Sequence, residues 1–391
     1  MNQYYNPVHT IQGAGCIGEL PEFLEEMNLK ERKVLFLVWS EQALPRSVFS
    51  SLQQPGRMFD VRTVLFQASN PTVEQLYETY EQTREFSPEV VVAVGGGSIM
   101  DVGKSLCCLY GKEIADTDAL RELILSKNYG SLSARWIGVP TTAGTGSEVT
   151  CWATIWDPVM DVKRSVENQE NYAYAAFVDP QLAEGMPLKL AVSSALDAMA
   201  HAVESYWAKG TNCVSRALAL QAVRIIMGNM EALLSGKKEA HDAMAEGSML
   251  AGMAFSNTRT TACHSISYPL TMHYGIPHGA AVSMLLAPVL QMNASSVKDL
   301  DALMETLGVE DADMLKSRVN SWLRRSGQPV SLQEWGVRAE DLQRLAELGM
   351  TKGRADNNPV EITSDNIRTI LESIYPAQEN EIADILGGEA S

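Results

Sequence analysis

At 391 residues the chain is too long for one ordinary core and fits two domains, and its 46% hydrophobic content is enough to bury both. A formal net charge of -17 argues against nucleic acid or an anionic membrane as a partner, because both would repel it. The six Cys show no CxxC spacing, no basic stretch followed by an apolar one opens the chain, and no uninterrupted apolar run approaches a membrane span, so a cytoplasmic protein is expected.

In chain order, residues 33–39 form a short apolar run that predicts a buried parallel strand. Asn70-Pro71-Thr72 reads as a helix start, and charges recur at helical intervals from there to residue 86. Val90-Val91-Val92-Ala93-Val94 is a second strand, and residues 136–140 offer a third. The alternation predicts a doubly wound, Rossmann-like α/β domain. After Asp179-Pro180 the texture changes to Ala/Leu/Met-rich stretches at 192–207, 215–234 and 240–254, which predict an all-α second half. A boundary at Gly185-Met186-Pro187 divides the chain into 1–184 and 185–391, and no internal repeat is visible.

Two glycine-rich turns follow strands of the first half. Gly95-Gly96-Gly97-Ser98 comes directly after the second strand and precedes a helix containing Asp101 and Lys104, so backbone amides at that helix start could receive a pyrophosphate. Pro140-Thr141-Thr142-Ala143-Gly144-Thr145-Gly146-Ser147-Glu148 supplies hydroxyls and small residues suited to a wall against a nucleotide. A tight turn and a polar loop without ligand remain open at this level, since neither string is a GxGxxG fingerprint or a Walker sequence.

Asp197 and His201 are spaced i, i+4 in an Ala-rich stretch, so a helix puts carboxylate and imidazole on one face, one turn apart. His264 follows Ala262-Cys263, and His278 sits between Pro277 and Gly279, which would hold a loop. A lone His is more often a satisfied core or surface residue than a ligand, and that reading stays open for each. Taken together, one carboxylate and three imidazoles suit a divalent cation, and a catalytic site with room for a substrate oxygen more than a structural zinc site.

The ordered set Gly95-Gly96-Gly97-Ser98-x-x-Asp101-x-x-Lys104, Pro140 to Glu148, Asp179-Pro180, Asp197-Ala-x-x-His201-Ala-x-Glu204, His264 and Pro277-His278-Gly279 resembles the signature of the group III, iron-containing alcohol dehydrogenases. The resemblance runs from end to end of the chain. It implies a nicotinamide cofactor, NAD or NADP, in a cleft between the two domains, and a divalent metal, usually Fe2+ and sometimes Zn2+, on Asp197, His201, His264 and His278. By the same resemblance Gly95, Gly96, Gly97 and Ser98 meet the pyrophosphate, Thr141, Thr142 and Thr145 border the nucleoside parts, and Asp101 and Lys163 stand near the cleft. It further implies an aldehyde or alcohol substrate and a homodimer.

Departures from the pattern narrow the expectation. Many members have a second His four residues after the third ligand; here that position is Tyr268, so proton transfer would fall to Tyr268, His273 or water, with packing an equal reading for Tyr268. Ser40 stands about where NAD-preferring members have an Asp, which leaves NADPH open. Asn257-Thr258-Arg259-Thr260-Thr261 sets a guanidinium beside hydroxyls just ahead of His264, a receptor for an oxyanion, unless Arg259 simply pairs with an acid. Arg354 is a second candidate. The Thr-Arg-Thr and Ser-Tyr-Pro-Leu-Thr strings are similar to the branch containing phosphonoacetaldehyde reductases, which implies 2-hydroxyethylphosphonate as the alcohol. A general short-chain alcohol dehydrogenase, a dehydroquinate-synthase-like lyase and a non-catalytic nucleotide-binding protein remain alternatives.

Overall fold

The runs Val34-Leu35-Phe36-Leu37 and Val90-Val91-Val92-Ala93 are apolar on both faces, a pattern that suits only a parallel sheet covered on both sides. The computed structural model, which describes residues 3–350 and 353–376, contains that sheet. Its chain-ordered strands are β1 (His9–Gln12), β2 (Lys33–Val38), β3 (Asp60–Leu65), β4 (Val90–Gly95), β5 (Arg135–Pro140) and, after the hairpin β6 (Trp152–Asp157) and β7 (Val162–Glu167), β8 (Ala175–Val178). The order across the six-stranded sheet is β1-β8-β5-β4-β2-β3, all parallel. The chain leaves β2 for β3 on one side and returns to β4 on the other, so a crevice opens at the carboxyl ends of β2 and β4.

The three expected strands are β2, β4 and β5, each shifted by no more than one residue at either end. The helix expected after Asn70 spans Val73–Thr83, started by a capping box in which the Thr72 hydroxyl accepts from the Gln75 amide and the Gln75 side chain accepts from the Thr72 amide. β1, β3, β8 and the hairpin had no counterpart among the expected elements. β1 and β8 have four residues each, too few for a period to show, and β3 is a largely exposed edge.

The hairpin alternates strictly. Trp152, Thr154 and Trp156 on β6, with Lys163 and Ser165 on β7, face a cleft. Ala153, Ile155, Asp157 and Val166 turn inward, where the buried Asp157 carboxylate accepts from Arg121 and Arg164 and anchors the hairpin.

The second half is helical throughout its described residues. Its main helices, numbered after α1 (Gly97–Leu109) of the first half, are α2 (Leu188–Trp207), α3 (Cys213–Leu234), α4 (Glu239–Thr258), α5 (Ala262–Tyr274) and α6 (His278–Asn293). Ala191, Ala195, Ala198 and Ala202 of α2 are buried in one large cluster, and such small side chains let neighbouring helices approach closely. Among the described residues one helix, α3, has the length and composition to cross a membrane; Ala219, Val223, Ile226 and Met230 place one face of it in that cluster, while Arg224 is exposed. Residues 351, 352 and 377–391 of the second predicted unit lie outside the described residues.

Two glycines set the geometry that matters for function. Gly275, with φ +64°, ends α5 in the left-handed conformation and turns the chain through Ile276-Pro277 into α6. A Cβ on Gly279 would lie 2.0 Å from the Ser193 carbonyl oxygen, so α6 can begin against α2 only because that residue is glycine. His278, the first residue of α6, is thereby delivered beside Asp197.

Candidate active site

Along α2, Asp197 and His201 point from one face, one turn apart, as the i, i+4 spacing requires. The α5 imidazole of His264 brings Nε2 to 3.4 Å from Asp197 Oδ1, and His278 Nε2 lies 3.7 Å from the same oxygen. Ligand atoms of Asp197, His201 and His264 all fall within 4.8 Å of one another. Asp197 Oδ1 and His264 Nε2 are buried with no hydrogen-bond partner. Unpaired buried acceptors of this kind are costly unless something completes them, and a divalent cation is the partner that fits a carboxylate and imidazoles converging on one point.

The surroundings prepare these ligands. His201 Nδ1 bonds the Gly144 carbonyl at 3.3 Å and its ring stacks on Phe255 at 4.3 Å, which fixes the imidazole beside Asp197. His264 Nδ1 bonds the buried Glu204 carboxylate, which orients the ring and frees its Nε2. Glu204 also accepts from the Thr261 hydroxyl at 2.7 Å and the amides of Thr261 and Cys263 at 3.2 and 2.7 Å, so one carboxylate both caps α5 and aims His264. Burial pushes His201 down to about 4 and His278 to about 3, so both imidazoles are neutral at pH 7. Burial alone would raise Asp197, but His201, His278 and His264 outweigh it and hold the carboxyl well below its usual range. Ionised carboxylate and neutral imidazole are the forms that bind a metal.

The opposite wall is built from the glycine turns. A Cβ on Gly96 would meet Thr142 Oγ1 at 3.3 Å, and one on Gly97 would meet Thr145 Cγ2 at 2.8 Å, so the two turns interlock with the amides at the start of α1 facing the cleft. Gly97→Ala should therefore force the two turns apart, raising the Kd for NAD(P)H about tenfold, ~1.4 kcal/mol, and lowering the unfolding midpoint; fluorescence titration and urea melts check the pair. The cleft, about 830 Å³, runs from Trp39 and Asn70 past these turns to the Asp–His cluster. Its size and its mixture of apolar walls with a few convergent polar groups suit a bound dinucleotide with a small substrate beyond it.

Several sequence-predicted residues line this cleft, namely Ser98, Thr141, Asp101, Lys163, Arg259 and Tyr268, together with Arg354. Others do not. Gly95 is buried at the end of β4, where its missing Cβ makes room for Ile99. The Ser40 hydroxyl bonds Gln42, and the neighbouring Trp39 is what reaches the cleft. His273 is exposed in the last turn of α5 and is not brought to the cleft. Asp101 is tied into the wall: its oxygens accept from the Ser147 hydroxyl and the Thr154 amide, both at 3.0 Å, and Lys104 Nζ lies 3.8 Å away. Lys104, fully buried, donates to Ser147, Thr150 and the Trp152 carbonyl, and so clamps the second turn rather than facing a ligand. Arg259 ends α4 with φ +63° and pairs with Glu167.

Glu204 and Phe255 had no assigned role at the sequence level. Glu204 carried a usable signal, since it lies three residues beyond His201 and seven beyond Asp197 on the same helical face. Phe255 carried none.

Fold and cleft together are those of a metal-dependent nicotinamide oxidoreductase. The chain belongs to the iron-containing alcohol dehydrogenase family. Residues 7–180 match the model described as iron-containing alcohol dehydrogenase, and residues 191–375 match the Fe-containing alcohol dehydrogenase family, C-terminal. The lactaldehyde reductase of Escherichia coli is 31% identical over 76% of this chain and 80% of its own. The NADPH-dependent butanol dehydrogenase of Clostridium saccharobutylicum is 28% identical over 97% of this chain and 99% of its own. Among solved structures, sulfoacetaldehyde reductase from Bifidobacterium kashiwanohense in complex with NAD+ superimposes with a TM-score of 0.84 at 26% identity, covering 97% of this chain and 100% of that one. The protein is thus an oxidoreductase of a family that couples alcohols and aldehydes to NAD(P) through a divalent metal.

Proposed function

We propose that the protein reduces a short aldehyde bearing an anionic group to the primary alcohol at the expense of NAD(P)H, or runs the reverse oxidation, with phosphonoacetaldehyde and 2-hydroxyethylphosphonate as the leading pair. The observation that carries the redox reading is the convergence of unpaired ligand atoms on Asp197 and His264 in the same cleft as the glycine turns. When bound, NAD(P)H would supply the hydride for the carbonyl carbon, and the oxygen would take up a proton. A divalent cation on Asp197, His201, His264 and His278 supplies Lewis-acid polarisation of the carbonyl. Gly96, Gly97 and Ser98 hold the pyrophosphate, and Thr141, Thr142 and Thr145 border the nucleosides. Solvent or the Tyr268 hydroxyl carries the proton, since His273 is turned outward.

The anionic group is supported by the positive charge of Lys163 and Arg354 along the cleft and by the likeness to a sulfoacetaldehyde reductase. Ser40 stands outside the cleft and carries no preference between NADH and NADPH, so both cofactors belong in the test. The lactaldehyde reductase and butanol dehydrogenase relatives favour a second reading, a general short-chain alcohol dehydrogenase. We further assign nucleotide binding to 1–184 and metal and substrate binding to 185–391, in a cytoplasmic homodimer that uses the exposed sheet edges at β1 or β3.

The test is a screen of metal-reconstituted enzyme with NADH and NADPH against phosphonoacetaldehyde, sulfoacetaldehyde, lactaldehyde and propanal. A kcat/KM at least tenfold higher for the charged aldehydes supports the anionic reading. Equal or better use of propanal favours the general dehydrogenase, and substrate conversion without net change in nicotinamide absorbance would point to a lyase.

A further inference from the structure

Two cations face the cleft near the Asp–His cluster, and one aromatic ring carries both. Lys163 Nζ sits 3.3 Å above the centroid of Tyr268, and Arg354 Cζ lies 5.0 Å from it. No carboxylate within ion-pair distance accompanies either of them among the described residues, whereas Arg259, on the same cleft, is taken up by Glu167 and lies over Trp152. Lys163 arrives on the hairpin and Arg354 on the turn before Ala355–Asn357, so chain elements remote in sequence place like charges together. A cation–π contact contributes about 1 kcal/mol and leaves the charge uncompensated. Burial, and then Arg354, push the Lys163 amine well below its ordinary pKa against the opposing pull of Asp101 and Asp197, so an anion bound beside it would favour its charged form. One turn along α5 from Tyr268, and so on the same face, the Thr271 hydroxyl is buried at the cleft without a hydrogen-bond partner.

We infer that Arg354, with Lys163 and the Thr271 hydroxyl, is the receptor for the anionic end of the substrate, in place of Arg259, and that Tyr268 is the positioning residue that holds the two cations. The assignment rests on the anionic-aldehyde reading above. The Tyr268 ring lies parallel to His278 at 5.9 Å, so the ring that carries both cations stands beside the Asp–His cluster where the carbonyl would be polarised. A planar guanidinium, an ammonium and a hydroxyl lining the same cleft suit the oxygens of a phosphonate or sulfonate.

The experiment uses the Fe2+-loaded enzyme with NADPH and compares kcat/KM for phosphonoacetaldehyde, sulfoacetaldehyde and propanal in wild type, Arg354→Met, Arg354→Lys and Arg259→Met. Arg354→Met should lower the charged-over-neutral ratio about 10- to 100-fold, mainly through KM, and Arg354→Lys should recover part of it. Calorimetric Kd for ethylphosphonate, an unreactive probe, should rise about tenfold in Arg354→Met. Tyr268→Phe should keep the charge preference and Tyr268→Leu should lose it. A ratio unchanged in Arg354→Met, or a larger loss in Arg259→Met, overturns the assignment while leaving the anionic reading intact. A wild type that does not prefer charged aldehydes overturns both.

Discussion

Asp197→Ala or His264→Ala removes the bound cation and turnover together. Each variant takes away a ligand and leaves its partners converging on an incomplete site. Lewis-acid polarisation accounts for several kcal/mol of transition-state stabilisation, so kcat/KM should fall about 1,000-fold or more, at ~1.4 kcal/mol for each factor of ten. Metal content, read by elemental analysis of the purified variants, should fall to background in both. Retained metal with lost activity would reassign these residues to another step.

Glu204→Gln is the second large effect, and it separates orientation from ligation. Glu204 touches no substrate, yet it holds His264 Nδ1 and the amides of Thr261 and Cys263. Glutamine keeps the shape and one acceptor oxygen but loses the charge that strengthens the imidazole as a ligand. Metal affinity should drop about 10- to 100-fold, the usual cost of disturbing a ligand's hydrogen-bonded partner, and excess Fe2+ should restore most of kcat. Glu204→Ala should cost about 3–5 kcal/mol of stability as well, because it leaves buried donors without their charge partner. Urea unfolding of the two variants distinguishes the contributions. A glutamine variant with wild-type metal affinity would mean that packing alone aims His264.

The residues proposed to hold the metal were legible because their signals are local. Asp197 and His201 share a helical face, and Pro277 and Gly279 around His278 announce a turn. Likewise the glycine turns followed strands whose two-faced apolarity was plain. What the chain hid were pairings across long sequence distances. Arg259 reads from the sequence as an oxyanion receptor or as the partner of an acid, and the second holds: its acid is Glu167, 92 residues earlier, on a strand of a hairpin that was not foreseen. Lys163 and Arg354 meet at Tyr268, a residue that stood out merely for not being histidine. His273 shows the reverse error of proximity: it lies near Tyr268 in sequence, but α5 turns it to solvent.

Chelator-stripped enzyme, reconstituted stepwise with Fe2+ and assayed for NAD(P)H-dependent aldehyde reduction, tests the central claim most directly. Activity should rise in proportion to bound metal, reach its plateau near one ion per chain and stay absent in Asp197→Ala at every Fe2+ concentration. Full turnover in the stripped protein, or metal-restored activity in Asp197→Ala equal to wild type, would contradict the account.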